Sequence, residues 1–178
     1  GHKVGWLGLY SGVAGNADVV LLPEIPYDVK KIGKFLKAKK TKGQNYFIVV
    51  CSEGALDLDE AKLSKKEFKK AREAMTQSVA FRVAKEIEAE TDIETRTSVL
   101  GYLQRGADPS PYDMLLATQL GNAAADFLAN KEFGNLVAVK NGEIVATPLS
   151  EVADKIKTIP MDDSMLKTAR DLGICFGD

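Results

Sequence analysis

Hydrophobic positions recur along this chain with different spacings, and each spacing predicts a type of secondary structure. Three- and four-residue spacing predicts helices, whereas short continuous apolar runs bounded by glycine or proline predict buried strands. Helical patterns cover Gly5–Ala14, Asp28–Lys42, Ser64–Glu90 and Pro111–Ala129, followed by a short helix from Ser150 and a last one from about Asp163. Strand patterns cover Asp18–Ile25, Tyr46–Ser52, Thr95–Gly101, Asn135–Val139 and Glu143–Ala146.

Polar residues at the ends of these segments support the predicted boundaries. Ser64 and Glu67 have the spacing of a capping box, in which each side chain bonds the other residue's backbone N–H. Ser110 followed by Pro111 is a typical helix start. Asn141-Gly142 between two apolar runs predicts a two-residue hairpin turn.

Strands that alternate with helices favour a parallel or mixed sheet covered by helices on both faces. The fold class predicted here is therefore α/β, a three-layer α/β/α sandwich with a mostly parallel sheet. In such sheets, ligands bind outside the carboxyl ends of the strands.

Composition and charge narrow the function classes. Apolar residues make up 45% and charged residues 28% of 178 residues, which suits a globular protein of one domain or slightly more. Twenty-four basic residues against 25 acidic ones leave a formal charge of -1, so no global field attracts nucleic acid. No apolar run approaches membrane-spanning length. Cys51 and Cys175 lack metal or redox spacing and suit thiols in a reducing cytoplasm.

The candidate chemistry lies where predicted strands end. Glu53 follows one strand, Tyr102 and Arg105 follow another, and Arg96 lies within the latter. The planar fork of arginine suits phosphate, whereas a carboxylate accepts hydrogen bonds from hydroxyls. If these residues converge on one crevice, they suit a sugar phosphate. The alternative reading, solvated arginines or surface ion pairs, remains open from spacing alone.

The segment GYLQRGADPSPYD at 101–113 resembles the 6-phosphofructokinases, which phosphorylate the 1-hydroxyl of fructose 6-phosphate. The resemblance spans about residues 1–155 and includes GHKVGWLGL at the start, VLLPEI, the strand end Cys51-Ser52-Glu53 and Glu94-Thr95-Arg96. It implies a Rossmann-like half of a phosphofructokinase. Tyr102 makes the chain similar to the branch that contains pyrophosphate-dependent and related non-allosteric enzymes.

The resemblance implies roles for six residues, all in substrate binding. Gly1 matches a glycine whose backbone lies against the sugar, and Glu53 matches the carboxylate that holds sugar hydroxyls. Arg96 matches an arginine that reaches the 6-phosphate from a neighbouring subunit. Tyr102 and Arg105 match donors to the same phosphate within the subunit. His2 stands where the family usually has an arginine, and it could assist the transferring phosphoryl group in the transition state.

The family's donor-phosphate loop, magnesium carboxylates and catalytic base have no counterpart in this sequence, which begins without methionine. We therefore expect a fragment that is inactive alone, with no catalytic base and no metal ligands of its own. The complete enzyme would use magnesium and either ATP or pyrophosphate, as a cytoplasmic homo-oligomer in glycolysis.

By resemblance, residues 1–104 form the sugar-phosphate-binding domain. Residues 105–155 join the donor-binding domain, and a C-terminal helix within 156–178 returns to the first domain. Two alternatives remain at this stage. One is a different sugar-phosphate enzyme, and the other is a non-catalytic α/β module that only binds an anion.

Overall fold

The chain folds into two compact units in the computed structural model, which describes residues 3–178. The first unit runs up to Val99 and resumes over Lys157–Asp178. The second unit comprises Leu100–Ile156.

A parallel sheet forms the centre of the first unit. Strand β1 (Val19–Leu21) pairs in parallel with β2 (Val49–Cys51), so that Val19 faces Val49 and Leu21 faces Cys51. On the other edge of β1, Val19 forms a parallel bridge with Cys175. Because β1 and β2 are parallel, their carboxyl ends lie at the same end of the sheet.

Helices cover both faces of this sheet, because alternate residues of β1 point in opposite directions. On one face, Val20 and Leu22 pack with residues of α1 (Trp6–Ala14) and α7 (Ser164–Asp171). On the other face, Val19 and Leu21 pack with residues of α2 (Val29–Thr41) and α4 (Val79–Thr91). Helix α3 (Lys65–Glu73) buries no residue. The predicted α/β fold with a parallel sheet is confirmed.

The second unit combines a long helix with a hairpin. A 3-10 helix, Gly101–Arg105, precedes α5 (Pro111–Ala129). Strands β3 (Asn135–Lys140) and β4 (Glu143–Pro148) then pair antiparallel, and α6 (Leu149–Val152) follows. Asn141 and Gly142 connect the strands with φ angles of 53° and 84°, as the predicted hairpin turn requires.

Two predicted elements are wrong. Thr95–Gly101 forms no strand, because its backbone is held against α4 and not against a neighbouring strand. The Thr95 N–H donates to the Glu88 carboxylate at 2.6 Å, and the Thr95 hydroxyl donates to the Ala84 carbonyl at 3.4 Å. The predicted helix Ser64–Glu90 is split into α3 and α4, with Glu60–Lys62 as a short 3-10 helix before them. The split follows from Ser78, whose hydroxyl accepts from the Ala80 N–H and starts a new helix.

Within the described part of the chain, no helix combines the length and apolar character needed to cross a membrane.

Candidate functional site

Glu53 lies where the sequence predicts it, directly beyond the carboxyl end of β2. Its neighbour Ser52 is buried, whereas Glu53 itself is exposed. The Ser52 N–H donates to the Leu21 carbonyl at 2.9 Å, which extends the pairing of β1 and β2 to the sheet edge. An exposed carboxylate on a well-fixed strand end can accept hydrogen bonds from ligand hydroxyls.

A partly buried ion-pair network holds the loop that follows Glu53. The Glu60 carboxylate accepts from Arg82 at 2.7 Å, from Arg72 at 3.0 Å and from the Asp57 N–H at 3.2 Å. Arg72 also donates to the Ala55 carbonyl. Burial opposes ionisation of Glu60, but the two arginines hold the pKa of its carboxyl below the ordinary value. The loop is thereby tied to α3 and α4.

Two titrating groups beside this network, Tyr27 and Cys51, stay protonated near neutral pH. Burial raises the pKa of the Tyr27 hydroxyl well above its ordinary value, and it raises the pKa of Cys51 to about 11. The Tyr27 hydroxyl donates to Glu86 at 3.0 Å, and burial also raises the pKa of Glu86. We interpret the network as structural support for the loop.

Tyr102 and Arg105 belong to the 3-10 helix of the second unit, and both are exposed. Tyr102 retains 90% of its accessible surface. Residues three apart in a 3-10 helix lie on the same side, so the phenol and the guanidinium point to a common region. Gly101 begins this helix with φ of 32°, in the range that favours glycine.

Arg96 is also exposed and pairs with Glu94 at 3.4 Å. Their side chains are 90% and 78% exposed, and such a surface pair contributes little to stability. Arg96 is therefore free to exchange this partner for an anionic ligand at little cost. Thr95 next to it is fixed on α4, which anchors the backbone from which Arg96 extends.

The predicted residues are divided between the two units. Glu53 and Arg96 lie in the first unit, and Tyr102 and Arg105 share a helix in the second. Convergence of both groups on one ligand stays a prediction. Gly1 and His2 lie outside the described residues.

Glu24 lies within the VLLPEI segment that resembles the family, but no role was predicted for it. Glu24 follows β1 at the same sheet edge as Glu53, and its carboxylate bonds two separate backbone segments. The sequence does mark its location, because Glu24 directly follows a buried strand and a proline.

A concavity of about 390 Å³ lies at the opposite end of the sheet, where β1 and β2 begin. None of the predicted site residues lines it. Asp18 lies here, and its carboxylate accepts from Lys39 at 2.8 Å, from Gln44 at 2.7 Å and from the Ile48 N–H at 2.9 Å. Burial opposes ionisation, but these donors hold the pKa of Asp18 below its ordinary value. The hydrogen bonds join α2 and the start of β2 to β1.

Among residues 3–178, no group of three or more His, Cys, Asp or Glu side chains is arranged to hold a metal ion.

These observations define an α/β protein with exposed carboxylate, guanidinium and phenol groups at fixed backbone positions. The sequence model of the phosphofructokinase family matches residues 1–128, and the chain belongs to this family.

Relatives similar in sequence bear the same family name. The chain is 50% identical over 179 residues to the ATP-dependent 6-phosphofructokinase of Spirochaeta thermophila, covering 100% of this chain and 49% of that protein. It is 45% identical to ATP-dependent 6-phosphofructokinase 3 of Bacteroides thetaiotaomicron, covering 99% of this chain and 48% of that protein. The chain thus spans about half the length of the curated relatives it matches.

Solved structures show the same fold. The crystal structure of a pyrophosphate-dependent phosphofructokinase from Nitrosospira multiformis matches with a TM-score of 0.72 at 23% identity, over 100% of this chain and 47% of that one. The corresponding enzyme from Marinobacter aquaeolei matches with a TM-score of 0.71 at 24% identity, over 99% of this chain and 43% of that one.

Proposed function

We propose that this chain supplies the acceptor-binding part of a 6-phosphofructokinase, which transfers a phosphoryl group to the 1-hydroxyl of fructose 6-phosphate. The family match over residues 1–128 carries the proposal, because this range includes all six predicted substrate-binding residues. Glu53 supports it further as an exposed carboxylate at the carboxyl edge of the parallel sheet.

The proposed roles divide the substrate between hydroxyls and phosphate. Glu53 accepts hydrogen bonds from sugar hydroxyls. Tyr102 and Arg105 donate to the 6-phosphate from one side of their 3-10 helix, and Arg96 donates to the 6-phosphate of a neighbouring subunit in a homo-oligomer. A planar guanidinium can form two parallel hydrogen bonds with phosphate, which fixes its orientation.

Gly1 and His2 complete the proposed set, with the Gly1 backbone against the sugar and His2 near the phosphoryl group in transfer. We place the catalytic base and the donor contacts outside this chain, so the 178-residue chain by itself should transfer no phosphoryl group. Phosphoryl transfer requires positioning and charge neutralisation of the donor phosphate, and the residues predicted here serve only the acceptor.

The remaining assignments extend this proposal to the complete enzyme. Residues 1–104 form the sugar-phosphate domain, 105–155 join the donor domain and 156–178 return to the first. The donor is ATP or pyrophosphate, and magnesium accompanies it on ligands outside the described residues. The enzyme acts in the cytoplasm, in glycolysis.

Replacing Arg105 in the full-length protein tests the division of roles. Arg105→Ala should raise the Michaelis constant for fructose 6-phosphate roughly 10- to 100-fold, because a charge-assisted hydrogen bond contributes about 1.5–3 kcal/mol. The Michaelis constant for the phosphoryl donor should change less than about two-fold. Steady-state kinetics with each substrate varied in turn measures both constants.

Lys155→Ala provides the control, because it removes an exposed cation from the same unit. It should leave both constants unchanged. Arg105→Lys should give an intermediate value, because it keeps the charge but loses the planar fork. A rise in the donor constant with no change in the sugar constant would contradict the proposal.

A further inference from the structure

The backbone turn that contains Glu53 is fixed by hydrogen bonds at both ends. The Ser52 N–H donates to the Leu21 carbonyl at 2.9 Å, which attaches the start of the turn to β1. The Ala55 N–H donates to the Ser52 carbonyl, also at 2.9 Å, and closes a β-turn over residues 52–55. Glu53 is the second residue of this turn, so the position of its backbone depends on both ends.

Arg72 holds the far end of this turn from helix α3. Its Nη2 atom donates to the Ala55 carbonyl and, at 3.0 Å, to the Glu60 carboxylate. The guanidinium carbon lies 4.9 Å from the centre of the Phe68 ring, which adds a cation–π contact. Only 17% of the Arg72 side chain is exposed, and hydrogen bonds from a charged donor are about twice as strong as neutral ones. Arg72 therefore connects the turn to α3 and to the ion-pair network.

Arg82 shares the Glu60 carboxylate with Arg72 but bonds elsewhere with its other donors. It donates to Glu60 at 2.7 Å and to the Tyr27 hydroxyl at 3.2 Å. Within the described part of the chain, Arg82 makes no hydrogen bond to the Ala55 carbonyl. The two arginines are thus a matched pair, because loss of either weakens the network but only loss of Arg72 releases the turn.

We infer that Arg72 is a positioning residue for the acceptor site: it holds the turn from which Glu53 offers its carboxylate to the sugar hydroxyls. The inference rests on the proposed function, because that function assigns the hydroxyls to Glu53. Arg72 acts through Glu53 and not on the ligand. Its loss should impair sugar binding, because a misplacement of about 1 Å can lower the rate about 100-fold.

The test compares Arg72→Ala with Arg82→Ala in the full-length protein. Both variants remove one arginine from Glu60, so both should lower the melting temperature. Arg72→Ala should also raise the Michaelis constant for fructose 6-phosphate about 10-fold, with the donor constant unchanged. The rise is moderate because the fully buried Ala55 side chain still anchors the turn. Arg82→Ala should leave both constants unchanged.

A double-mutant cycle with Glu53→Ala separates positioning from a general loss of stability. If Arg72 acts through Glu53, the two substitutions are not additive. In a protein that already has Glu53→Ala, Arg72→Ala should change the Michaelis constant for fructose 6-phosphate less than about two-fold. Additive effects of the two substitutions would overturn the inference.

If Arg72→Ala does not fold, Arg72→Lys and Arg82→Lys provide the comparison, because lysine keeps the charge but loses the planar fork. Arg72→Lys should give a higher Michaelis constant for fructose 6-phosphate than Arg82→Lys, since one ammonium replaces the guanidinium that holds both Ala55 and Glu60. Equal constants for the two lysine variants would overturn the inference.

The outcomes separate the inference from the proposed function. An unsubstituted full-length protein that does not phosphorylate fructose 6-phosphate would overturn both. An active protein in which Glu53→Ala leaves the Michaelis constant for fructose 6-phosphate unchanged would overturn the assigned role of Glu53, and the inference with it. If Glu53→Ala raises that constant but Arg72→Ala lowers only the melting temperature, the inference alone is overturned, because Arg72 is then merely structural.

Discussion

At the scale of single residues, Glu60 shows how a charged side chain secures the loop after Glu53. Only 10% of the Glu60 side chain is exposed, and its partners Arg72 and Arg82 are 17% and 26% exposed. Removing Glu60 takes away the carboxylate that Arg72 and Arg82 share, and loss of one partner from a buried ion pair is strongly destabilising.

Glu60→Gln should therefore lower the free energy of unfolding by about 3 kcal/mol near neutral pH. The pKa of Glu60 is below its ordinary value of 4.5 in the folded chain. Its stabilisation is accordingly complete above the unfolded pKa and disappears as pH falls through the lower folded pKa. The difference between the variant and the original chain should shrink below pH 4.5, as measured by urea denaturation over a pH series.

Asp59→Asn is the matched control, because Asp59 is adjacent and pairs with Lys62 at 2.8 Å in an exposed position. It should change stability little at any pH. Equal losses for both variants, or a Glu60→Gln loss that does not depend on pH, would contradict the proposed role of the network.

At the scale of elements, the close packing of α1 on the sheet depends on glycine. A Cβ atom at Gly8 would lie 2.3 Å from the Ser52 hydroxyl oxygen but 3.7 Å from the Ser52 Cβ. Ser52 is 5% exposed, and its hydroxyl is buried without a hydrogen-bond partner among residues 3–178. The hydroxyl is thus the main obstacle to a side chain at Gly8.

Gly8→Ala should destabilise the chain, because overpacking costs about 1–3 kcal/mol whereas alanine gains only about 1 kcal/mol in helix propensity. Adding Ser52→Ala removes the obstructing oxygen, and the double variant should be at least as stable as the original chain. Thermal unfolding of the two single variants and the double variant measures the coupling. Additive effects would show that the two side chains do not compete for space.

The sequence predicted elements well where local chemistry determines them. The capping box of Ser64 and Glu67, the start of α5 at Pro111 and the turn at Asn141-Gly142 depend on neighbouring residues, and all three are confirmed. Thr95–Gly101 has strand-like residues, but its first residue, Thr95, bonds to α4 and not to a neighbouring strand. The local pattern places Glu24 after β1, but its hydrogen-bond partners are 19 and 135 residues away in the sequence.

At the scale of the whole molecule, the parallel sheet explains why Glu53 lies beyond the carboxyl ends of the strands, because β1 and β2 end together. Ligands of open α/β sheets bind at this end. The same argument does not extend to Tyr102 and Arg105, which belong to the other unit. Tyr102 and Arg105 were predicted as site residues from a sequence motif, and the family match includes both. The central claim is therefore that this chain recognises a specific sugar phosphate.

Isothermal titration of the 178-residue chain with fructose 6-phosphate tests this claim most directly. Inorganic phosphate and ribose 5-phosphate serve as competitors, and Glu53→Gln and Arg105→Ala serve as variants. We predict that fructose 6-phosphate binds more tightly than either competitor, that Arg105→Ala weakens all three ligands, and that Glu53→Gln weakens only the sugars. Equal affinity for fructose 6-phosphate and inorganic phosphate, unaffected by Glu53→Gln, would contradict the claim and indicate a general anion site.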